Sequence, residues 1–118
     1  MAGLTGIRFP GRYIQGPGAM DQLGHFSQDI SPSALAIVDP FVDDFVQDQL
    51  DFATLRELHG GDCTDAEIAR LANLAQQAGC TQIIGLGGGK VVDTAKAVAE
   101  KLDLATLIVP TIAASPRV

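Results

Sequence analysis

The chain has 118 residues, 47% of them hydrophobic, and a net charge of −6, which fits one domain with a buried core and excludes a disordered chain. Its eight Lys and Arg are scattered, whereas a nucleic-acid or anionic-membrane surface would cluster them, so neither partner is expected. No signal-peptide core and no run of membrane-spanning length stand out, which makes a reducing cytoplasm the expected location, with Cys63 and Cys80 as free thiols and no zinc site.

Arg12 to Gln15 reads as a short strand, broken by Gly16-Pro17-Gly18. Ala19 to Phe26 follows as a short helix with Met20, Leu23 and Phe26 on one face. Ser31-Pro32-Ser33 is a turn, and Ala34 to Val38 a buried strand. Phe41 to Leu50 can form a helix, and Phe52 to Leu58 a weaker strand ended by Gly60-Gly61. Thr64-Asp65-Ala66-Glu67 is a capping box that starts a helix through Ala78, closed by Gly79. Gln82 to Leu86 is a strand, Val91 to Leu102 a helix, and Ala105 to Val109 a last strand ending at Pro110-Thr111. Aromatic residues are few and Trp is absent, so the core is built of Ala, Leu, Ile and Val, as suits parallel strands covered by helices. Strand and helix alternate, and such connections make right-handed crossovers and a parallel sheet with helices on both faces, a Rossmann-like α/β fold.

The chemistry concentrates at Gly87-Gly88-Gly89-Lys90, where a strand runs through glycines into a helix. Residues without Cβ let the backbone turn sharply and a ligand come close. The helix start behind them offers unpaired N–H groups and the positive end of the dipole, which suits a phosphate or pyrophosphate. Lys90, in the first turn, opposes that dipole and calls for an anion to offset the conflict. The plain alternative is a glycine turn beside a solvated lysine. The loop is not a Walker A motif, because Val91 stands where the magnesium-binding Ser or Thr belongs. It also departs from the common dinucleotide fingerprint, since Lys90 takes the place of the third glycine. Asp39 follows the strand Ala34 to Val38, and there a carboxylate could accept both ribose hydroxyls of an adenosine and repel a 2′-phosphate. Equally, Asp39-Pro40 could simply cap the next helix. Asp39, Gly87 to Lys90 and Thr111 all fall just after strands, so they would share the sheet edge where open α/β folds bind ligands.

Four stretches carry a resemblance to the polyol (glycerol) dehydrogenase branch of the iron-containing alcohol dehydrogenase family. They are Pro10-Gly11-Arg12-Tyr13-Ile14-Gln15-Gly16, His59-Gly60-Gly61-Asp62-Cys63-Thr64, Gly85 to Ala99, and Pro110-Thr111-Ile112-Ala113. The third, with Gly-Gly-Gly-Lys-x-x-Asp-Thr-Ala-Lys, is the most specific. The resemblance implies that Asp39 holds the adenosine ribose of NAD and that Gly88, Gly89 and Lys90 contact the pyrophosphate. Asp93 would brace the loop from the first helical turn, and Thr111 would touch the cofactor near its nicotinamide. It further implies oxidation of glycerol to dihydroxyacetone with hydride passing to NAD, a divalent metal such as zinc to polarise the alcohol, and a homo-oligomer.

The chain also departs from that pattern. Ala114, Ser115 and Pro116 stand where the family has Ser-Thr-Asp, and residues 1–118 are expected to lack the helical, metal-binding C-terminal domain that the resemblance implies. Neither histidine, His25 or His59, sits in a ligand context, and each reads as a surface or loop residue. Residues 1–118 are therefore expected to form a single, truncated dinucleotide-binding domain that does not turn over alone, has no catalytic or metal residues of its own, and self-associates through uncovered apolar surface. The alternatives are a non-catalytic nucleotide-binding module or a degenerate, truncated gene product. The short span from Asp39 to Asp51 also leaves the register of the following strand in doubt.

Overall fold

The fold is that of a computed structural model, which describes residues 12–13, 27, 33–46, 50 and 52–110. Among the described residues, five strands form one sheet: β1 (Arg12–Tyr13), β2 (Ala34–Val38), β3 (Leu55–Leu58), β4 (Gln82–Gly87) and β5 (Ala105–Pro110). Their order is β1-β5-β4-β2-β3, and every neighbouring pair is parallel. Helices α1 (Pro40–Val46), α2 (Asp65–Ala78) and α3 (Gly89–Leu102) alternate with the strands from β2 onward. The α/β class and the Rossmann-like parallel sheet expected from the sequence are what the chain adopts.

The central strands explain why the sheet is covered on both sides. β2 is Ala-Leu-Ala-Ile-Val with every residue buried, and β4 is buried along its whole length. Such continuous apolar runs cannot face water on either side. Successive side chains alternate between faces. Leu35, Ile37, Ile83 and Ile108 meet Leu71, Ala72 and Ala75 of α2 and Val91, Ala95, Val98 and Ala99 of α3. Ala36, Val38, Ile84, Leu86, Leu107 and Val109 point the other way, where Leu50, Val42, Phe52 and Ala53 pack. One glycine sets how closely α3 sits on the sheet. A Cβ built on Gly85 would lie 2.5 Å from the Cβ of Ala95, so no larger residue fits that seat.

Local chemistry fixes the helix ends. Thr64 takes an extended conformation, and its Oγ1 accepts from the Glu67 N–H at 3.1 Å. Gly79 closes α2 in the left-handed conformation, φ 73°, the usual glycine stop. The reciprocal half of the expected capping box is absent: Glu67 Oε2 accepts from the Gly60 N–H at 2.7 Å.

Several boundaries differ from the sequence expectations. α3 starts at Gly89 rather than Val91, and α1 at Pro40, a residue pre-set for a first helical turn. β3 begins at Leu55, not Phe52, because the chain first makes a turn in which the Ala53 N–H donates to Leu50 O. Its register, expected to be uncertain, is regular: Leu35 to Val38 pair with Leu55 to Leu58. The helix expected over Ala19 to Phe26, the rest of the strand over Arg12 to Gln15, and Thr111 lie outside the described residues. Among the described residues no helix is long and apolar enough to cross a membrane.

Candidate functional site

The strand order creates one place where successive connections part. β2 continues to β3 on one side, β4 continues to β5 on the other, and β2 and β4 are neighbours. The two loops leaving them must diverge, opening a crevice at the carboxyl ends of the strands. A cleft of about 250 Å³ lies there. Asp39 and Pro40 line it from the end of β2, His59 and Gly61 from the end of β3, and Gly88, Gly89, Lys90 and Val91 from the end of β4. Its volume is below the roughly 300–1,000 Å³ of a pocket for a drug-sized ligand, so it suits one segment of a larger molecule.

The four glycines between positions 85 and 89 serve different ends. A Cβ on Gly85 would strike Ala95, and one on Gly87 would lie 2.7 Å from the Cβ of Asp39. Those two are required by the protein's own packing. Around Gly88 and Gly89 the same construction meets nothing within 4 Å, and neither has a positive φ. Gly88 is the N-cap of α3 and supplies no side-chain cap. The first N–H groups of a helix have no partner within it, so this end of α3 presents bare amides to the cleft.

The charged groups are partly committed. Lys90 Nζ pairs with Asp62 Oδ1 at 2.8 Å, both side chains well exposed. The anion that the sequence called for beside Lys90 is thus, in this structure, a carboxylate of the β3–α2 loop. This bond holds the Asp62 carboxyl below its usual range and raises the Lys90 ammonium. Asp39 Oδ1 accepts from the Phe41 N–H at 2.9 Å. The capping role left open for Asp39 is therefore real, and a carboxylate with about four acceptor sites keeps capacity for more.

The β3–α2 loop is braced on several sides. Glu67 takes the Gly60 N–H, and Arg70 donates to Glu67, to Glu57 and to the carbonyl of Leu58. These bonds lower the Glu67 carboxyl, Arg70 being the larger cause, and raise the Arg70 guanidinium. His59 anchors the other end. Its Nε2 lies 2.8 Å from Thr94 Oγ1, and its Nδ1 accepts from the Gly61 N–H at 3.1 Å.

Two expectations need correction. His59, read as a surface or loop residue, does lie in the loop after β3 but is only 4% exposed, with both ring nitrogens bonded inside the protein. Asp93, placed by the sequence in the first helical turn, falls beyond it once α3 starts at Gly89, and its side chain is exposed. His59 and Asp62 were missed as members of the site. The signal was present: the rule that drew attention to the residues after β2 and β4 applies equally to those after β3. Among the described residues no three His, Cys, Asp or Glu form a cluster that could hold a metal ion. Cys63 is exposed and Cys80 buried, both as free thiols.

Comparison with known proteins converges on one group. A family profile described as iron-containing alcohol dehydrogenase matches residues 10–116. The glycerol dehydrogenase of Thermotoga maritima is 40% identical over 118 residues, covering 95% of this chain and 32% of the relative. That of Pseudomonas putida is 37% identical over 116 residues, covering 92% and 32%. Among solved structures, a probable glycerol dehydrogenase from Sinorhizobium meliloti superposes with a TM-score of 0.77 at 34% identity, over 87% of this chain and 29% of that one. The chain thus spans about a third of the length of the curated relatives it matches.

Proposed function

The chain belongs to the iron-containing alcohol dehydrogenase family, and from that premise we propose that residues 1–118 are the NAD-binding domain of a glycerol-dehydrogenase-like oxidoreductase. One observation carries the reading. Gly88 and Gly89 have open space around them and unexceptional φ, so the fold does not demand glycine at either position. A ligand that must lie against the backbone does. A diphosphate fits, because it would meet bare amides at the positive end of a fourteen-residue helix.

The roles follow from placement. The Gly88 and Gly89 amides receive the diphosphate, and Lys90 turns to it from Asp62. Asp39, at the end of β2, accepts the adenosine ribose hydroxyls and disfavours a 2′-phosphate, which selects NAD. Asp93 supports the loop from the second turn of α3, and Thr111 approaches the nicotinamide half. NAD supplies the hydride acceptor, and a polyol of the glycerol class supplies the carbinol hydride. The divalent metal of the family, zinc in the reading favoured by the sequence, has no ligand set among the described residues. The work of these residues is to bind, orient and neutralise the cofactor. We place the whole protein in the cytoplasm as a homo-oligomer.

NADH fluorescence and ADP titration test the reading. Wild type should bind both, whereas Gly88→Ala and Gly89→Ala should weaken binding about tenfold or more, ~1.4 kcal/mol, without lowering the urea midpoint. Unchanged binding in both variants, or no binding by wild type, would refute it.

A further inference from the structure

The bonds of His59 join the β3 side of the cleft to α3 and have no part in the roles above. Thr94 is fully buried in α3, one turn after Lys90, and its hydroxyl donates to the Lys90 carbonyl at 2.7 Å. A carbonyl only accepts, so that bond uses the single hydroxyl proton. His59 Nε2, 2.8 Å from the same oxygen, must then be the donor. A neutral imidazole carries one N–H, so Nδ1 is bare, and there the Gly61 N–H donates at 3.1 Å. Each bond fixes the direction of the next. Only the neutral Nε2–H tautomer satisfies all three, and an imidazolium would set Nδ1–H against the Gly61 N–H.

The positions joined are the informative part. β3 and β4 are not neighbours, since β2 runs between them, so no ladder hydrogen bond links the loops that leave them. The relay supplies a buried link, from Gly61 on one wall of the cleft to Lys90 on the other, beside the exposed Asp62–Lys90 pair. Both ring nitrogens are spent on protein atoms, which leaves neither for a ligand.

We propose that His59, held as its Nε2–H tautomer by Thr94 and Gly61, is a positioning residue that sets the distance between the Gly61 wall and the Gly88–Lys90 wall of the cleft, and thereby its fit to a diphosphate. The last step rests on the nucleotide-binding reading, while the relay itself does not. A histidine that merely filled space would be replaced by any residue of similar size. A positioning histidine requires the hydroxyl of its partner.

Nitrogen-15 NMR of the full chain, amide exchange at Gly61 and ADP titration test this together. Wild-type His59 should show a protonated Nε2 and a bare Nδ1. Thr94→Val keeps the side-chain shape without the hydroxyl; it should speed exchange at Gly61 and weaken ADP binding about tenfold. Thr94→Ser, which restores the hydroxyl, should return both to near wild type and covers the case in which Thr94→Val folds poorly. A protonated Nδ1, unchanged Gly61 exchange in Thr94→Val, or failure of Thr94→Ser to restore it would overturn the proposal. If wild type does not bind ADP, the nucleotide reading falls. The relay would still be judged by the tautomer and by Gly61 exchange, which need no ligand.

Discussion

Helices α2 and α3 are equal in length, pack on the same face of the sheet and begin at the same edge, yet their first turns are built in opposite ways. α2 is closed by its own residues: Thr64 caps it, and Asp65 and Glu67 lie in its first turn. Both acids favour the positive end of the dipole. α3 has Gly88 where Thr64 stands, no side-chain cap, no acid in its first turn, and Lys90 there instead. Replacing a capping side chain by glycine costs a helix only a few tenths of a kcal/mol, so the bare end of α3 is cheap for the fold. The difference teaches that α2 is finished as structure, whereas the start of α3 has no side-chain cap, as the diphosphate site proposed there requires.

Exchanging the two caps would break the comparison most directly. Gly88 is extended, φ −80° and ψ −167°, which suits a serine N-cap. Gly88→Ser should leave α3 as stable or slightly more so, and should weaken ADP binding about tenfold, because the hydroxyl takes the place of a ligand oxygen. Thr64→Ala should do the reverse, lowering stability by about 1 kcal/mol in urea unfolding with ADP affinity unchanged. Tight ADP binding by Gly88→Ser would mean that the end of α3 is not the anion site.

The acid limb of stability sharpens the same contrast, because Glu67 contributes to it from the first turn of α2. The Glu67 carboxyl is pulled below its ordinary 4.5, first by Arg70 and also by the Gly60 N–H. A group with a depressed folded value contributes stability above 4.5 and loses it as pH falls through the folded value. The urea midpoint should therefore drop below pH 4.5 in wild type and drop less in Glu67→Gln. Equal acid sensitivity of the two proteins would remove Glu67 as the source.

The sequence was most readable where structure is decided within a few residues. The Thr64 cap, the Gly79 stop and the buried run Ala34 to Val38 all came out as expected, since capping and burial patterns are local. The glycine loop was legible as a turn, but the contrast between Gly87 and Gly88 was not. Only the positions of Asp39 and Ala95 show which glycines the packing demands. The start of β3 was misjudged because it depends on a turn closed by Leu50 and on the Thr54 N–H reaching the carbonyl of Ala34. The place of His59 and Asp62 after β3 could have been read by the same rule as Asp39, but what they bond could not. Their partners, Thr94 and Lys90, lie 35 and 28 residues away, and no local pattern marks such pairs.

The smallest expected effect concerns that last pair, and it separates two meanings of Asp62. If the carboxylate stands in for the ligand anion, it competes for Lys90 with any diphosphate entering the cleft. Both side chains are well exposed, so the competition is weak and screened by salt. Asp62→Asn should then bind ADP about two- to fivefold more tightly at low ionic strength, with the gain fading as salt is added. The opposite outcome, weaker binding by Asp62→Asn, would mean that the carboxylate helps to orient Lys90 for the ligand. In that case the end of α3 would be no more open than that of α2, because a second loop of the chain would already be part of its cap.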